Sequence, residues 1–296
     1  MADYYVLYNP LAGNGQWYKM KNKFLEAFIE DNLTFVDVTQ WNDETFAEYI
    51  GRLDENAEIV ITGGDGTLNK FINCIDCDNL KQKIFVYPTG NGNDFFGDLI
   101  AHSNEYFPTV AINKNSCMLQ INRLIKNLPT VEVNGMTYKF VNGVGFGIDG
   151  YCCEEGDKVR AKGRKPNYSS IAVKGLLFKY KPRNATVIVD GMTHSYQKVW
   201  IAPTMLGTCY GGGMFPTPEQ RRFSGVLSLC VMYGKGKIPT LFTFPKLFKG
   251  EHVQKAEMVN LFTGKEITVY FDEPCALQID GETIPNVSSY TARISS

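Results

Sequence analysis

The sequence predicts an α/β domain built on a parallel sheet, followed by an antiparallel β-sandwich or flattened barrel carrying helical insertions. Three observations carry that reading. Up to residue 95, short β-branched or aromatic runs alternate with segments of helical period, the pattern of β-α-β units with helices on both faces of a sheet. Polar, glycine-bearing turns follow three of those runs. From residue 117 onward short strand-like segments take over, with Asn134-Gly135 and Asp190-Gly191 between them, dipeptides suited to two-residue hairpin turns.

Taken in order, Tyr-Tyr-Val-Leu-Tyr at 4–8 reads as a first strand, and Asn9-Pro10-Leu11-Ala12-Gly13-Asn14-Gly15 as a turn into a helix near 16–31. A strand at 34–38 and a helix at 43–53 follow, then a strand at 58–61 and a helix at 67–75. A strand at 83–87 runs into Pro88-Thr89-Gly90-Asn91-Gly92-Asn93-Asp94, which opens another helix. The stretch Ile59 to Asn69 is the centre of this half. Ile59-Val60-Ile61 reads as a buried strand. Gly63-Gly64-Asp65-Gly66 is a turn in which glycine lets backbone approach a ligand, and Thr67-Leu68-Asn69 starts a helix with Leu68, Phe71, Ile72 and Ile75 on an apolar face. Unpaired N–H groups at such a helix start favour phosphate. A carboxylate beside phosphate repels it unless a cation or hydroxyl intervenes, so Asp65 is expected to face a metal, a metal-bound water or a sugar hydroxyl. Three such turns at the C-terminal ends of parallel strands stand where ligands of these sheets bind.

The second half is read as strands at 117–122, 130–133, 137–142, 184–190, 196–202, 226–232, 253–258, 266–272 and 276–279, with helical insertions near 148–180 and 238–248. The expected domains are residues 1–122 and 123–284, with residues 285–296 crossing back to the first domain. The chain has 296 residues, 44% hydrophobic content and a net charge of −1, enough for two cored domains and no electrostatic reason to expect nucleic acid. No apolar run reaches membrane-spanning length and the start lacks a signal-peptide profile, so a cytoplasmic protein is expected. Eight cysteines, several inside apolar runs, suit reduced thiols. Cys74-x-x-Cys77 and Cys152-Cys153 lack the second pair that a zinc site needs.

These turns resemble the diacylglycerol kinase catalytic family, which includes bacterial lipid kinases and sphingosine-kinase-like enzymes. The matching stretches are Asn9-Pro10-x-x-Gly13, Gly63-Gly64-Asp65-Gly66-Thr67-Leu68-Asn69 and Pro88-x-Gly90-x-Gly92-Asn93-Asp94-Phe95. Further along come Asn142-x-x-Gly145-x-Gly147-x-Asp149, Tyr210-Gly211-Gly212-Gly213-Met214 and Asp280-Gly281-Glu282. They run in the family's order over nearly the whole chain. The resemblance implies a lipid kinase that moves the γ-phosphate of ATP to a lipid hydroxyl, with a nucleotide-binding domain like that of NAD kinases, a β-rich acceptor domain and the active site between the two.

By that resemblance Asn9, Pro10, Gly13, Thr39, Gly63, Gly64, Asp65, Gly66, Thr67, Asn69, Gly90, Asn91 and Asn93 would contact the nucleotide. Asp65 and Asp94 would hold Mg²⁺, while Asp280 and Glu282 would sit at the acceptor hydroxyl, one as general base and the other orienting it. The residue types suit phosphoryl transfer, which relies on alignment and charge neutralisation. On a regular strand Asp280 and Glu282 would share a face, whereas Gly281 admits a turn. The chain departs from the family at Lys70 (usually Glu), Asn91 (commonly Thr), Gln120 (usually Asp) and Phe223-Ser224-Gly225, where bacterial members carry an acidic cation-binding turn.

Residues 158–189 hold nine Lys or Arg and no Asp or Glu, a local positive field suited to an anionic membrane surface or to a solvated face. In the segment 235–249, Leu241, Phe244 and Phe248 share a helical face flanked by lysines, with Pro245 inside it. That stripe fits either an interfacial helix or a cover for a sheet. The expected partners are a lipid substrate and a peripheral membrane contact, and a homodimer is compatible with the sequence. Competing functions are a kinase of NAD or a sugar, and a nucleotide- or lipid-binding protein weakened in catalysis. Gly143-Val144-Gly145-Phe146-Gly147 lacks the last glycine of a dinucleotide fingerprint, and no Gly-x4-Gly-Lys-Ser/Thr loop occurs, which argues against oxidoreductases and ordinary P-loop enzymes.

Overall fold

A computed structural model describes residues 3–10, 17–28, 32–89, 93–106 and 118–294. The chain divides into two compact units, Met1–Asn127 and Leu128–Ser296. The first unit contains β1 (Asp3–Tyr8), α1 (Trp17–Ala27), β2 (Asn32–Asp37), α2 (Asp43–Gly51), β3 (Glu58–Gly63) and α3 (Asp65–Cys74). It continues with β4 (Lys83–Pro88), α4 (Asp94–Ala101), α5 (Ser103–Tyr106) and β5 (Leu119–Gln120). Its sheet has the order β2-β1-β3-β4-β5, parallel except for β5. Residues Ile59 to Gly63 are all buried, as expected for a strand covered on both faces.

Register places the functional turns. Tyr8 lies opposite Thr62, Thr62 opposite Tyr87 and Gly63 opposite Pro88, so β1, β3 and β4 end on one line. The buried hydroxyl of Thr62 donates to the Leu7 carbonyl at 2.9 Å and ties β3 to β1 there. From β1 the chain first adds β2 on one side and then β3 on the other. The order therefore reverses between β1 and β3, the position at which open α/β sheets bind ligands.

The second unit begins with β6 (Thr130–Val133), β7 (Met136–Lys139), β8 (Gly143–Gly147), α6 (Ile148–Arg160) and α7 (Tyr168–Lys174). A π-helix (Gly175–Lys179), β9 (Arg183–Val189), β10 (Met192–Val199), β11 (Ile201–Met205) and β12 (Leu227–Met232) follow. After α8 (Lys237–Thr243) and a 3-10 turn (Phe244–Lys249) come β13 (Val259–Gly264), β14 (Glu266–Ile279) and β15 (Glu282–Arg293). All ten strands join one sandwich-like antiparallel sheet. β14 organises it. Residues Ile267–Phe271 pair with β9, register shifts follow between Tyr270 and Leu277, and Leu277–Ile279 pair with β8. Such irregularities bend a strand and let its halves serve different neighbours.

Both expected hairpins form, with positive φ at Asn134-Gly135 and Asp190-Gly191. Leu119–Gln120 pairs with β4 in the first unit. Two expectations are corrected. Residues 282–293 form β15 against β14 and β6, so this terminal stretch stays in the second unit, where its inward residues Val287, Tyr290 and Ala292 are buried. The strand expected at 253–258 lies instead at Val259–Gly264, after a 3-10 turn at Glu251–Gln254. Among the described residues no disulfide joins the seven cysteines.

The glycines of 143–150 pack backbone on backbone. A Cβ on Gly147, whose φ is 121°, would stand 2.3 Å from the Trp200 carbonyl oxygen, and one on Gly150 2.1 Å from that of Ala276. Gly150→Ala is expected to destabilise the second unit by about 3 kcal/mol. Gly51→Ala, with nothing within 4 Å of the added carbon, should be neutral or slightly stabilising. Urea melts of the two variants check this.

Candidate active site

In the first unit, β3 delivers Gly63 and Gly64 into the first turn of α3. Gly64 is the N-cap and offers no side chain, so no side-chain cap satisfies the first amides of α3, leaving them suited to an anion. A Cβ on Gly63 would meet Thr67 Oγ1 at 2.3 Å; glycine here lets the Thr67 side chain lie against the strand end. Asp65 does not point into open solvent. Its two carboxylate oxygens accept the first amides of α4, from Asp94 at 2.9 Å and Phe95 at 3.0 Å. Asn93, at φ 49° and ψ 41°, turns the chain into that helix without a side-chain cap of its own, and Asp65 takes that role from across the sheet edge.

The expected cation carboxylates Asp65 and Asp94 are thus neighbours, and Asp94 is buried. Among the described residues no group of three or more His, Cys, Asp or Glu gathers at one point. Two hard carboxylates fit Mg²⁺, which commonly takes one or two protein carboxylates and completes its shell with water and phosphate oxygens. A shallow depression lined by Gly63, Gly64, Asp65, Tyr87, Pro88 and Asn93 lies beside them. Asn9 and Pro10 follow β1 on the same edge; Gly13, Gly90 and Asn91 lie outside the described residues.

Thr39 stands in a 3-10 turn after β2, where Asp37 Oδ1 accepts both its amide (2.9 Å) and its hydroxyl (2.7 Å). Lys70 explains itself in this setting. Its Nζ donates to the carbonyls of Val38 and Trp41, each at 3.1 Å, and so fastens the Thr39 turn to α3. A glutamate could not make those two bonds.

In the second unit, Asp280 and Gly281, at φ 49° and 90°, form the turn between β14 and β15, and the two candidate carboxylates diverge. Asp280 is buried. Its carboxylate accepts the amides of Val141 (2.7 Å), Asn142 (2.7 Å) and Gly143 (3.0 Å), an arrangement that holds the start of β8. Arg222, which the sequence reading did not single out, is also buried and donates to the Val141 carbonyl and to Asn142 Oδ1. The loop carrying Ser224 is knitted by the Gln220 amide, whose Nε2 donates to the carbonyls of Leu206 and Val226. Neutral and cationic donors fill the turn, so its residues do not fit a structural cation.

Glu282 instead lies beside α6. Burial raises its pKa, the Arg160 guanidinium lowers it and Asp157 raises it. Arg160 pairs with Asp157, which also accepts the Thr283 hydroxyl at 2.6 Å. Asp157 and Arg160 are further members that sequence reasoning missed, since a helical i,i+3 pair carries no motif.

Asp149, in the first turn of α6, is buried, and neither carboxyl oxygen has a conventional hydrogen-bond partner. Burial pushes its pKa up to about 7; the nearby amides of Gly150 and Asp149 and the Tyr210 hydroxyl pull weakly the other way. Tyr210 closes a turn of three left-handed glycines, Gly211, Gly212 and Gly213, by exchanging backbone bonds with Met214. Its own hydroxyl is buried without a partner.

A parallel sheet whose strand order reverses beside an uncapped glycine turn has the form of the α/β proteins that bind phosphorylated ligands at such a point. Residues 3–128 match the diacylglycerol kinase catalytic domain and residues 142–294 the YegS C-terminal NAD kinase beta sandwich-like domain, and the chain belongs to the diacylglycerol kinase catalytic domain family with that C-terminal domain. It is 21% identical over 275 residues to a diacylglycerol kinase of Mycobacterium tuberculosis, covering 91% of this chain and 84% of that protein. A diacylglycerol kinase of Staphylococcus carnosus is 33% identical over 92 residues, 30% of each chain. A crystal structure of a Bacillus anthracis diacylglycerol kinase superposes with a TM-score of 0.60 at 17% identity, covering 99% of this chain and 94% of that one; at that identity the likeness is one of fold.

Two outcomes follow from the second unit. Asp280→Ala strands three amides and should cost about 3–5 kcal/mol in urea melts, whereas Glu282→Gln should change stability by less than about 0.5 kcal/mol. For Asp149 the folded pKa is raised, so the stability it contributes is complete below the unfolded value of 3.8 and is lost as pH rises through about 7. The melting temperature should therefore fall between about pH 4 and pH 7 and level off above that, and Asp149→Asn should flatten that slope.

Proposed function

We propose that this protein is an ATP-dependent lipid kinase that transfers the γ-phosphate of ATP to a hydroxyl of diacylglycerol or a related lipid. One observation carries the reading: β1, β3 and β4 end in line at the point of strand-order reversal, with the amides of α3 lacking a side-chain cap. Those amides bind phosphate oxygens, and the Asn9–Pro10 turn supports the nucleotide on the neighbouring strand. Lys70 holds the Thr39 turn in place for the same ligand.

Asp65 and Asp94 hold Mg²⁺ through hard oxygen donors. When bound, the cation neutralises charge on the transferring phosphoryl group. On the acceptor side, Glu282 takes the proton of the lipid hydroxyl. The pKa of its carboxyl is raised above that of an ordinary glutamate, which makes it a stronger base, and Arg160 opposes that rise. Asp280 acts by positioning, because its carboxylate is already committed to the amides of residues 141–143. That commitment also favours the second reading, a protein that binds nucleotide and lipid with little turnover.

ADP release with ATP and a panel of diacylglycerol, other lipid alcohols, NAD and sugars tests the assignment. Turnover with a lipid alcohol is expected, and Glu282→Gln should lower kcat by about 100-fold or more while leaving ATP affinity intact. Turnover only with NAD or a sugar, or unchanged kcat in Glu282→Gln, would refute it. ATP binding without turnover on any acceptor would select the second reading.

A further inference from the structure

Two segments of the second unit, sixty residues apart in sequence, meet side by side. Lys237 at the start of α8 donates to the Leu177 carbonyl of the π-helix at 2.8 Å. Beneath, Leu176 of the π-helix shares one core cluster with Leu241, Phe244 and Leu247. Leu241 and Phe244, two members of the stripe that fits either an interfacial helix or a cover for a sheet, therefore face the protein interior. Pro245 falls in the first turn of the 3-10 segment, where it ends α8 instead of kinking it.

The outward face is made by other residues. Phe178, Phe242 and Ile238 are 74%, 73% and 69% exposed, the three most exposed large apolar side chains among the described residues. Ile238 and Phe242 stand four apart on α8 and so share one face. Lys174, Lys179 and Lys181 flank Phe178 in sequence, Lys235 and Lys249 flank the α8 segment, and all five are exposed. None of these lysines pairs with a carboxylate among the described residues, whereas Lys158 and Arg160 are neutralised by Glu154, Glu155 and Asp157. Lys162, Arg164 and Lys165 are also exposed, so the charge flanking the three apolar side chains belongs to a longer basic stretch.

We infer that this face, Phe178, Ile238 and Phe242 with the unpaired lysines that flank them, docks the protein onto an anionic lipid bilayer. Bulky apolar side chains standing proud of the surface suit insertion among acyl chains, and the lysines suit the acidic headgroups. A second copy of this chain fits poorly, because a two-fold contact would set lysines against lysines. The inference rests on the lipid-kinase reading for its purpose, delivery of the site to a membrane-borne acceptor. The surface itself is measured without nucleotide or acceptor.

The test is flotation of the full chain with phosphatidylcholine vesicles, with and without about a third phosphatidylglycerol. Binding is expected only to the anionic vesicles and should weaken with added salt. Two variants, Phe178→Ser with Phe242→Ser, and Lys174→Glu with Lys179→Glu and Lys249→Glu, should each lose about tenfold in partitioning. Met136→Ser with Met192→Ser, exposed apolar residues in the two hairpins, should bind as the parent does. Circular dichroism and turnover on a detergent-dispersed acceptor report whether each variant folds, and the lysine set retains the apolar residues should the serine pair misfold. Absence of binding by the parent, parental binding in both variants, or light scattering showing that the face instead closes a dimer would each overturn the inference. Failure here with lipid turnover intact would leave the kinase reading standing, and the reverse holds as well.

Discussion

The two hydrogen bonds that bring the first amides of α4 onto the Asp65 carboxylate are the constraint on which the nucleotide side of this molecule depends. Separate strand-to-helix turns have no intrinsic reason to share a ligand. One carboxylate at the start of α3 that caps the next helix fixes the distance between two of them, and strand register fixes the third. The same arrangement resolves an oddity of the sequence, an acid in a phosphate loop. Its negative charge is balanced by a helix N-terminus, and the proposed cation would take its remaining lone pairs.

The second unit uses carboxylates in three different ways, and burial decides which. Asp280 is buried and saturated with amides, so it is a building element. Asp149 is buried and unsatisfied, so it favours its proton. Glu282 is exposed to solvent, between a cation that favours its charge and an acid that opposes it. The two carboxylates of Asp280-Gly281-Glu282 are therefore not an equivalent pair: one is a scaffold residue, and the proposed proton acceptor is the other.

Much of this was legible from sequence because the signals were local. The parallel strands announced themselves as short β-branched runs closed by glycine, and the Asn134-Gly135 and Asp190-Gly191 hairpins by residues that tolerate positive φ. What escaped depends on long-range pairing. The single strand of residues 266–279 read as two pieces because its middle, Asp272 to Pro274, is polar and ends in proline, although β14 runs straight through it. Arg222 gave no signal, since a buried arginine bound to carbonyl oxygens looks like any surface arginine until its partners at 141 and 142 are known. Lys70 read as a defect and proved to be a fastening. The apolar stripe of 241–248 left two readings open, because periodicity identifies a face without saying what covers it, and Leu241 and Phe244 take the inward one.

The course of β14 bears on how the second unit comes apart. A strand whose first half belongs to β9 and whose second half belongs to β8, while β15 runs along both, leaves no seam along which part of the sheet can peel away. Local opening of one hairpin would have to break the ladder shared with the rest, so this half of the molecule melts as a single cooperative block, its innermost amides exchanging with solvent only on complete unfolding.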